Sequence, residues 1–502
     1  MEMFPVNYDK KKVTSLQSRL FGHRLKPSQS KYEYLIEFLQ VAISPKKNSR
    51  TEKSYKDMFP VEREGIKDAL VYFPQSRIAL KRFIFMPKSK LDGKAEVDKI
   101  AYEECIRIME KSVQGGNPIT RKMSISIVQN LLDGFSAVNQ NRSWFDQNLL
   151  PICPEVILPE GMGVKSWRKK LDFEIGEADI DQEFDFHKYT YMCRGGEIYY
   201  LHLLSAVNQF PEYAGRIETQ LKSMIGSFPQ FSYLCNFVQK TWDDYMLVSL
   251  EKKKTLSKEL TVIPTSYEKR NEYTLSELNN FLNSKSHPFE KMEILANGII
   301  LQMLRMMYLA ASTDSESNCW VVDVNCKGYE SAETKKLAIS AFNHNEEVIC
   351  KYLYRGLEEL RVELGITDDQ KAIKDAADDS YRLFRKLGKD IGIVIPAKGP
   401  GMRFSLSEDV IKFLVLSIIP PQKMITLDEF IGLLYAHYGI VIGPDQYRQE
   451  MEKGSVKNIG NLSFLEENKL AFSQKLKECG FLRDLSDATA IVENPYESED
   501  VI

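Results

Sequence analysis

Carboxylates spaced two apart are the first residues in this chain that can do chemistry. Asp179, Asp181, Glu183 and Asp185 alternate through the acidic run 172–185, with Ile180, Phe184 and Phe186 among them. On a strand, whose side chains point alternately to opposite faces, all four carboxylates would share one side. Converging carboxylates can hold Mg²⁺ for phosphodiester cleavage, so a metal-dependent nuclease using Asp179, Asp181 and their neighbours is one reading. Mutual repulsion otherwise raises their pKa values or drives the face into solvent, and a solvated edge is the commoner outcome.

Arg194, Gly195 and Gly196 form a second candidate, an anion site at the start of a helix that carries Tyr199, Tyr200 and His202. Paired glycines let a backbone come close to a partner, and a helix N-terminus favours negative charge. Neither a GK[ST] nor a GxGxxG spacing follows, so the competing reading is a tight turn packed on its helix. Asp323 with Lys327, after the strand-like WVVDV, is the nearest approach to a restriction-type nuclease pattern, but no acid sits two residues before the lysine. The six histidines (His23, His187, His202, His287, His344 and His437) stand apart from one another, without HxH or HExxH spacing. His437 reads as a packed residue beside an apolar stripe. Eight cysteines make no CxxC pair and no zinc-finger grouping with histidine, so they read as reduced, buried thiols. No metal-ligand set and no cofactor motif emerges, and serine- and cysteine-nucleophile signatures are absent.

The elements that would position these groups are mostly helical. Tyr34, Leu35, Phe38, Leu39 and Ala42 recur at helical spacing before Pro45. ALKRFIFM at 79–86 fits a strand or a short buried helix. Further helical patterns cover 119–134, 197–252, 275–311, 333–365 and 368–387, with Thr274 and Glu277 spaced as a capping box. The prolines and glycines of 149–163 predict a connector and the first domain boundary. The expected organisation is a mainly α (α+β) protein with a mostly helical domain over 1–150, a mostly helical central domain over 151–375 and a C-terminal domain over 376–502.

That last third has the most legible order. Two short β-like runs flank Lys398-Gly399-Pro400-Gly401, which reads as a hairpin turn. Ser405 with Glu408, and Thr426 with Glu429, are spaced as capping boxes, and Gly439 suits a left-handed helix end. A short helix after Pro444, a longer one over 462–479 and a terminal hairpin complete the order expected of a winged helix-turn-helix. If that unit meets double-stranded DNA, Gln446, Tyr447, Arg448, Lys453, Lys475 and Arg483 are the residues placed to do so. The acids Asp445, Glu450 and Glu452, and the acidic tail over 493–500, oppose phosphate contact.

Composition excludes few classes. The chain has 502 residues, 43% hydrophobic and 27% charged, with a formal net charge of -3. Length implies several cores, and a near-neutral balance argues against a non-specific DNA coat. The opening MEMFPVNYDKKK has no apolar signal core, and the longest greasy stretch is read at Ile411–Ile419, too short for a bilayer. A cytoplasmic protein without membrane contact is expected.

Two stretches carry a resemblance. Phe21-Gly22-His23-Arg24, Gln29, Glu33-Tyr34-Leu35 and Glu37-Phe38-Leu39, together with Phe413 to Gly443 and its LDEF and GIVIGP, are similar to accessory proteins of bacterial phage-defence operons. The resemblance implies an antiviral-defence role beside partner subunits such as an ATPase, a nuclease or a methyltransferase, and it points to no catalytic residue. The combined expectation is a non-enzymatic scaffold of a defence complex that binds DNA or a partner through its winged-helix end.

Overall fold

The structure is a computed structural model. It describes residues 16–22, 29–61, 70–75, 77–88, 96–137, 144, 147–158, 195–246, 258–260, 263–313, 319–364, 370–486 and 489–499. The acidic run 172–185 and Arg194 lie outside the described residues. Those residues are mainly helical with small sheets, in agreement with the mainly α reading.

After a short α1 (Leu16–Phe21), α2 (Lys31–Ile43) opens on the reciprocal capping box of Ser30 and Glu33 and stops ahead of Pro45. Strands β1 (Lys46–Asn48), β2 (Ser54–Tyr55) and β3 (Leu70–Tyr72) follow. ALKRFIFM resolves as helix α3 (Ile78–Phe85), buried along its whole length. Its packing partners are α4 (Glu96–Ser112) and α5 (Pro118–Asp133). Next come α6 (Gly195–Gln209), α7 (Ala214–Ile225), α8 (Pro229–Tyr245) and β4 (Lys258–Glu259), which completes an antiparallel sheet in the order β2-β1-β3-β4. A separate core forms around α3, α4, α5 and α8, with Phe83, Leu132, Trp144 and Trp242 inside.

The main core centres on α9 (Asn271–Asn283) and α10 (Pro288–Ala311). Helix α10 corrects the expectation that Ile411–Ile419 is the longest apolar stretch. It is 24 residues long and apolar enough by composition to cross a membrane, yet 89% of its apolar window is buried inside the protein. Asn297, Gln302 and Arg305 interrupt the apolar run in sequence, and each is buried with the helix. Gly298 lets this helix touch its neighbour: a Cβ there would lie 2.1 Å from the Phe413 ring. The expected capping box at Thr274 and Glu277 is also corrected. Both residues sit inside α9 and are completely buried, because the helix starts at Asn271 out of a preceding 3-10 turn.

Strand β5 (Trp320–Val321), α11 (Ala332–Leu364) and α12 (Gln370–Asp390) lead to the hairpin β6 (Val394–Ile395) and β7 (Arg403–Phe404) around the predicted glycine-rich turn. Helix α13 (Glu408–Ile418) is capped by Ser407, whose hydroxyl accepts from the Val410 amide, two residues beyond the predicted Ser405. Ser405 is buried instead, with its amide donating to the Ile393 carbonyl across the hairpin. Then follow β8 (Met424–Thr426), α14 (Leu427–Tyr438), β9 (Ile440–Val441), α15 (Pro444–Glu452), α16 (Ser463–Glu478), β10 (Leu482–Ser486) and β11 (Thr489–Glu493). Thr426 caps α14 and Gly439 ends it at φ 65°, both as predicted. Strand β11 pairs antiparallel with β10 and β8, giving a three-stranded sheet in the order β10-β11-β8.

Candidate functional site at the C-terminal unit and its seam

The C-terminal unit is fastened to the helical body by three devices that differ in range and chemistry. Strand β9 runs parallel to β5, with Trp320 opposite Ile440, so the chain just after α10 forms part of the unit's edge. Asn468 of α16 bonds both strands: its amide donates to the Val322 and Ile442 carbonyls at 2.9 Å, and its oxygen accepts from the Val324 amide. The tail closes the far side, where Lys285 pairs with Glu497 and buried Lys291 with Glu499. Two carboxylates of the predicted acidic tail therefore serve the chain's own lysines.

The third device is a buried ionic network. Glu277 on α9 accepts from Arg270 Nη2 at 2.8 Å, Tyr438 at 2.7 Å and Gln302 at 3.2 Å, with His437 Nδ1 at 2.8 Å. Arg270 also donates to the His437 carbonyl at the end of α14 and lies over the Tyr438 ring. Burial by itself would raise the Glu277 pKa, but the Arg270 charge and the His437 and Tyr438 hydrogen bonds outweigh it and hold the carboxyl below its usual range. A layer deeper, His202 Nε2 meets Thr274 Oγ1 at 2.8 Å, and Thr274 donates to Gln302. Burial, with the Arg270 charge added, pushes His202 down to about 3, so it sits in the core as neutral imidazole. His437, expected to be a packed residue, packs with its ring tilted against Tyr273, centroids 4.2 Å apart, and is a network member as well.

The predicted groove-facing residues divide. Tyr447 is buried, its hydroxyl donating to the Lys457 carbonyl, and Gln446 is buried beside it. Arg448 is exposed and paired with Asp445 at 2.6 Å; Lys453 pairs with Glu450 and donates to Tyr435; Lys475 donates to the Leu406 carbonyl. Arg483 on the hairpin is exposed and paired with Glu493 at 2.6 Å. Lys469 and Lys477 likewise pair with Asp428 and Asp484. Arg448, Lys453, Lys469, Lys477 and Arg483 are thus each paired with an acid of the same unit, while Lys475 bonds a carbonyl.

Of the other candidates, Gly195 and Gly196 start α6 against α2, where a Cβ would lie 2.0 Å from the Tyr34 ring and 2.3 Å from the Tyr34 carbonyl respectively. The acceptor at this helix start is the protein's own: the Gly196 amide donates to the Glu37 carboxyl at 3.0 Å. Asp323 is held by Arg403 and by the Asn325 amide, while Lys327 is exposed. Among the described residues, no group of three or more His, Cys, Asp and Glu side chains is placed to hold a metal ion.

Sequence reasoning missed the network, although a signal was present. Glu277 interrupts the apolar stripe of Leu275, Leu278, Phe281 and Leu282, and a carboxyl on the buried face of a helix must find a cation or hydrogen-bond partners there. A second missed feature is the reverse case. Ile119, Met123, Ile127 and Leu131 recur every four residues along α5 and are 78%, 64%, 58% and 46% exposed, an apolar ladder facing solvent.

Residues 402–496 match the family of the methylation-associated defense system protein MAD7. The match agrees with the resemblance to phage-defence accessory proteins and falls on the C-terminal unit just described. No curated protein and no solved structure matches the chain.

Proposed function

We propose that this chain is a non-enzymatic scaffold of a bacterial defence complex, and that it joins other components of the system through protein contacts. The observation that carries the reading is the α5 ladder. Four large apolar side chains at i, i+4, i+8 and i+12 form a ridge of the kind that seats in the groove of another helix. Its occupant in this reading is an amphipathic helix of a partner subunit. The C-terminal unit, with the β8-β11-β10 sheet and the helices α13, α14 and α16, acts as a winged-helix-like module held rigidly to the body.

Double-stranded DNA is the second reading, favoured by that element order and by the exposed hairpin arginine Arg483. The internal pairing of Arg448, Lys453 and Arg483 weighs against it, since a phosphate contact by any of these three would have to displace an existing carboxylate.

Pull-downs of the tagged chain co-expressed with its system's components, with and without nuclease treatment, test both. The double variant Met123→Glu/Ile127→Glu removes two side chains whose burial contributes about 1.5–3 kcal/mol each. It is expected to weaken partner capture at least about 100-fold, while Arg448→Glu/Arg483→Glu leaves capture unchanged. Capture lost on nuclease digestion and on the arginine reversals, but not in the α5 variant, would overturn the protein-contact reading in favour of DNA.

A further inference from the structure

A cleft of about 270 Å³ opens at the seam, between α9 and α10 of the body and α14 and α15 of the C-terminal unit. Lys269, Arg270, Arg305 and Lys453 line it, with the tilted ring pair of Tyr273 and His437 beside them. Arg270 and Arg305 are 2% and 4% exposed, an uncommon place for two guanidinium groups. The Arg305 guanidinium is set 5.1 Å from the Trp320 ring centroid and 5.5 Å from that of Tyr308. Arg270 commits Nη1 and Nη2 to the network, and its buried Nε–H has no acceptor among the described residues.

Among the described residues, Glu450 is the one carboxylate that lines the cleft, and Lys453, Ser455 and Tyr435 are among its partners. The Glu277 charge lies behind Arg270 and is matched there. With Glu277 counted beside Glu450, four cations stand against two acids, so the cleft is net positive in a partly enclosed space, where reduced solvent screening strengthens attraction for an anion. Burial is the main cause that draws Arg305 down to about 10, and the neighbouring Arg270 charge adds to it, so an anion between them would relieve both effects.

We propose that this cleft is a binding site for a phosphomonoester group. Guanidinium groups present planar donors that suit phosphate oxygens, and two lysines supply further charge at the rim. The volume sits just below the range of whole drug-sized ligand sites, so it suits a phosphate with its sugar rather than an extended dinucleotide. The group can come from a free nucleotide or from the 5′ end of a nucleic-acid strand. Because the lining residues belong to both body and C-terminal unit, occupancy clamps the seam.

The test is calorimetric titration of the full chain with inorganic phosphate, a nucleoside 5′-monophosphate, and a short oligonucleotide with either a 5′-phosphate or a 5′-hydroxyl. Saturable binding of the monophosphate is expected, weakened at least about tenfold in Lys269→Glu/Lys453→Gln, whose changes lie at the exposed rim, and lost in Arg305→Gln. Binding of the 5′-phosphorylated but not the 5′-hydroxyl strand assigns the source to strand ends, and binding of the mononucleotide alone assigns it to the free pool. Two results overturn the proposal: no saturable binding of any phosphomonoester at about 10 mM, or binding unchanged by the rim lysine variant. Equal binding of both oligonucleotides without mononucleotide binding would overturn it as well. The rim variant keeps the test decisive if Arg305→Gln fails to fold.

Discussion

Replacing Glu277 by glutamine should be among the costliest single changes in this protein. The substitution keeps the volume and removes the charge, leaving the Arg270 guanidinium buried at 2% exposure without its counterion. At an effective dielectric of about 20, opposite charges about 4 Å apart attract by about 4 kcal/mol. Breaking a buried pair by removing one partner typically costs about 3–5 kcal/mol, because the remaining charge stays desolvated. The glutamine amide would also meet Arg270 or Tyr438 donor to donor, adding about 1 kcal/mol or more. A loss of about 4 kcal/mol is therefore expected, read from urea unfolding followed by tryptophan fluorescence. Arg270→Met/Glu277→Leu removes both charges and should recover at least half of that loss, since an apolar pair avoids the stranded ion. A Glu277→Gln loss below about 1 kcal/mol would refute the argument. So would a double-mutant cycle in which the two single losses simply add.

Gly298→Leu drives a side chain into the Phe413 ring, so α10 and α13 must separate; a loss of about 3 kcal/mol or more is expected in the same unfolding assay. Glu37 gives a pH-dependent case. Burial, with the Glu33 and Glu197 charges added, pushes its carboxyl up to about 8 against the Gly196 hydrogen bond. A carboxyl raised in the fold contributes stability that is present below about pH 4.5 and lost as pH rises through about 8. Glu37→Gln should then be more stable than the parent protein at pH 8–9 by a few kcal/mol and lose that advantage near pH 4.5, as read by thermal melts across pH. A variant equally or less stable at pH 9 would refute the shift.

How far the sequence disclosed the fold depended on the range of each signal. The Thr426 cap, the Gly439 helix end, the Lys398–Gly401 turn and the terminal hairpin all proved where expected, and each is written within a few consecutive residues. Ser407 rather than Ser405 caps α13 although Val410, not Glu or Gln, stands three residues after it, because Ser405 still belongs to the hairpin, its amide paired with the Ile393 carbonyl. The α3 segment was ambiguous because eight apolar-rich residues satisfy either period once every face is buried.

What the sequence by itself determined is the mainly helical character, local ends such as the Thr426 cap and the Gly439 stop, and the order of the C-terminal elements, because hydrogen bonds within a turn or a helix are closed by near neighbours. It also determined the resemblance that residues 402–496 carry. Only the tertiary structure decided which polar residues meet. Thr274 and Glu277 have the spacing of a cap, yet become core members because Arg270, His437 and Tyr438 arrive from other elements to satisfy them. The parallel pairing of Trp320 with Ile440 and the third strand at Met424–Thr426 are likewise absent from any local pattern. Such contacts join residues far apart in the chain, and burial of a charge is favourable only once its distant partner is in place.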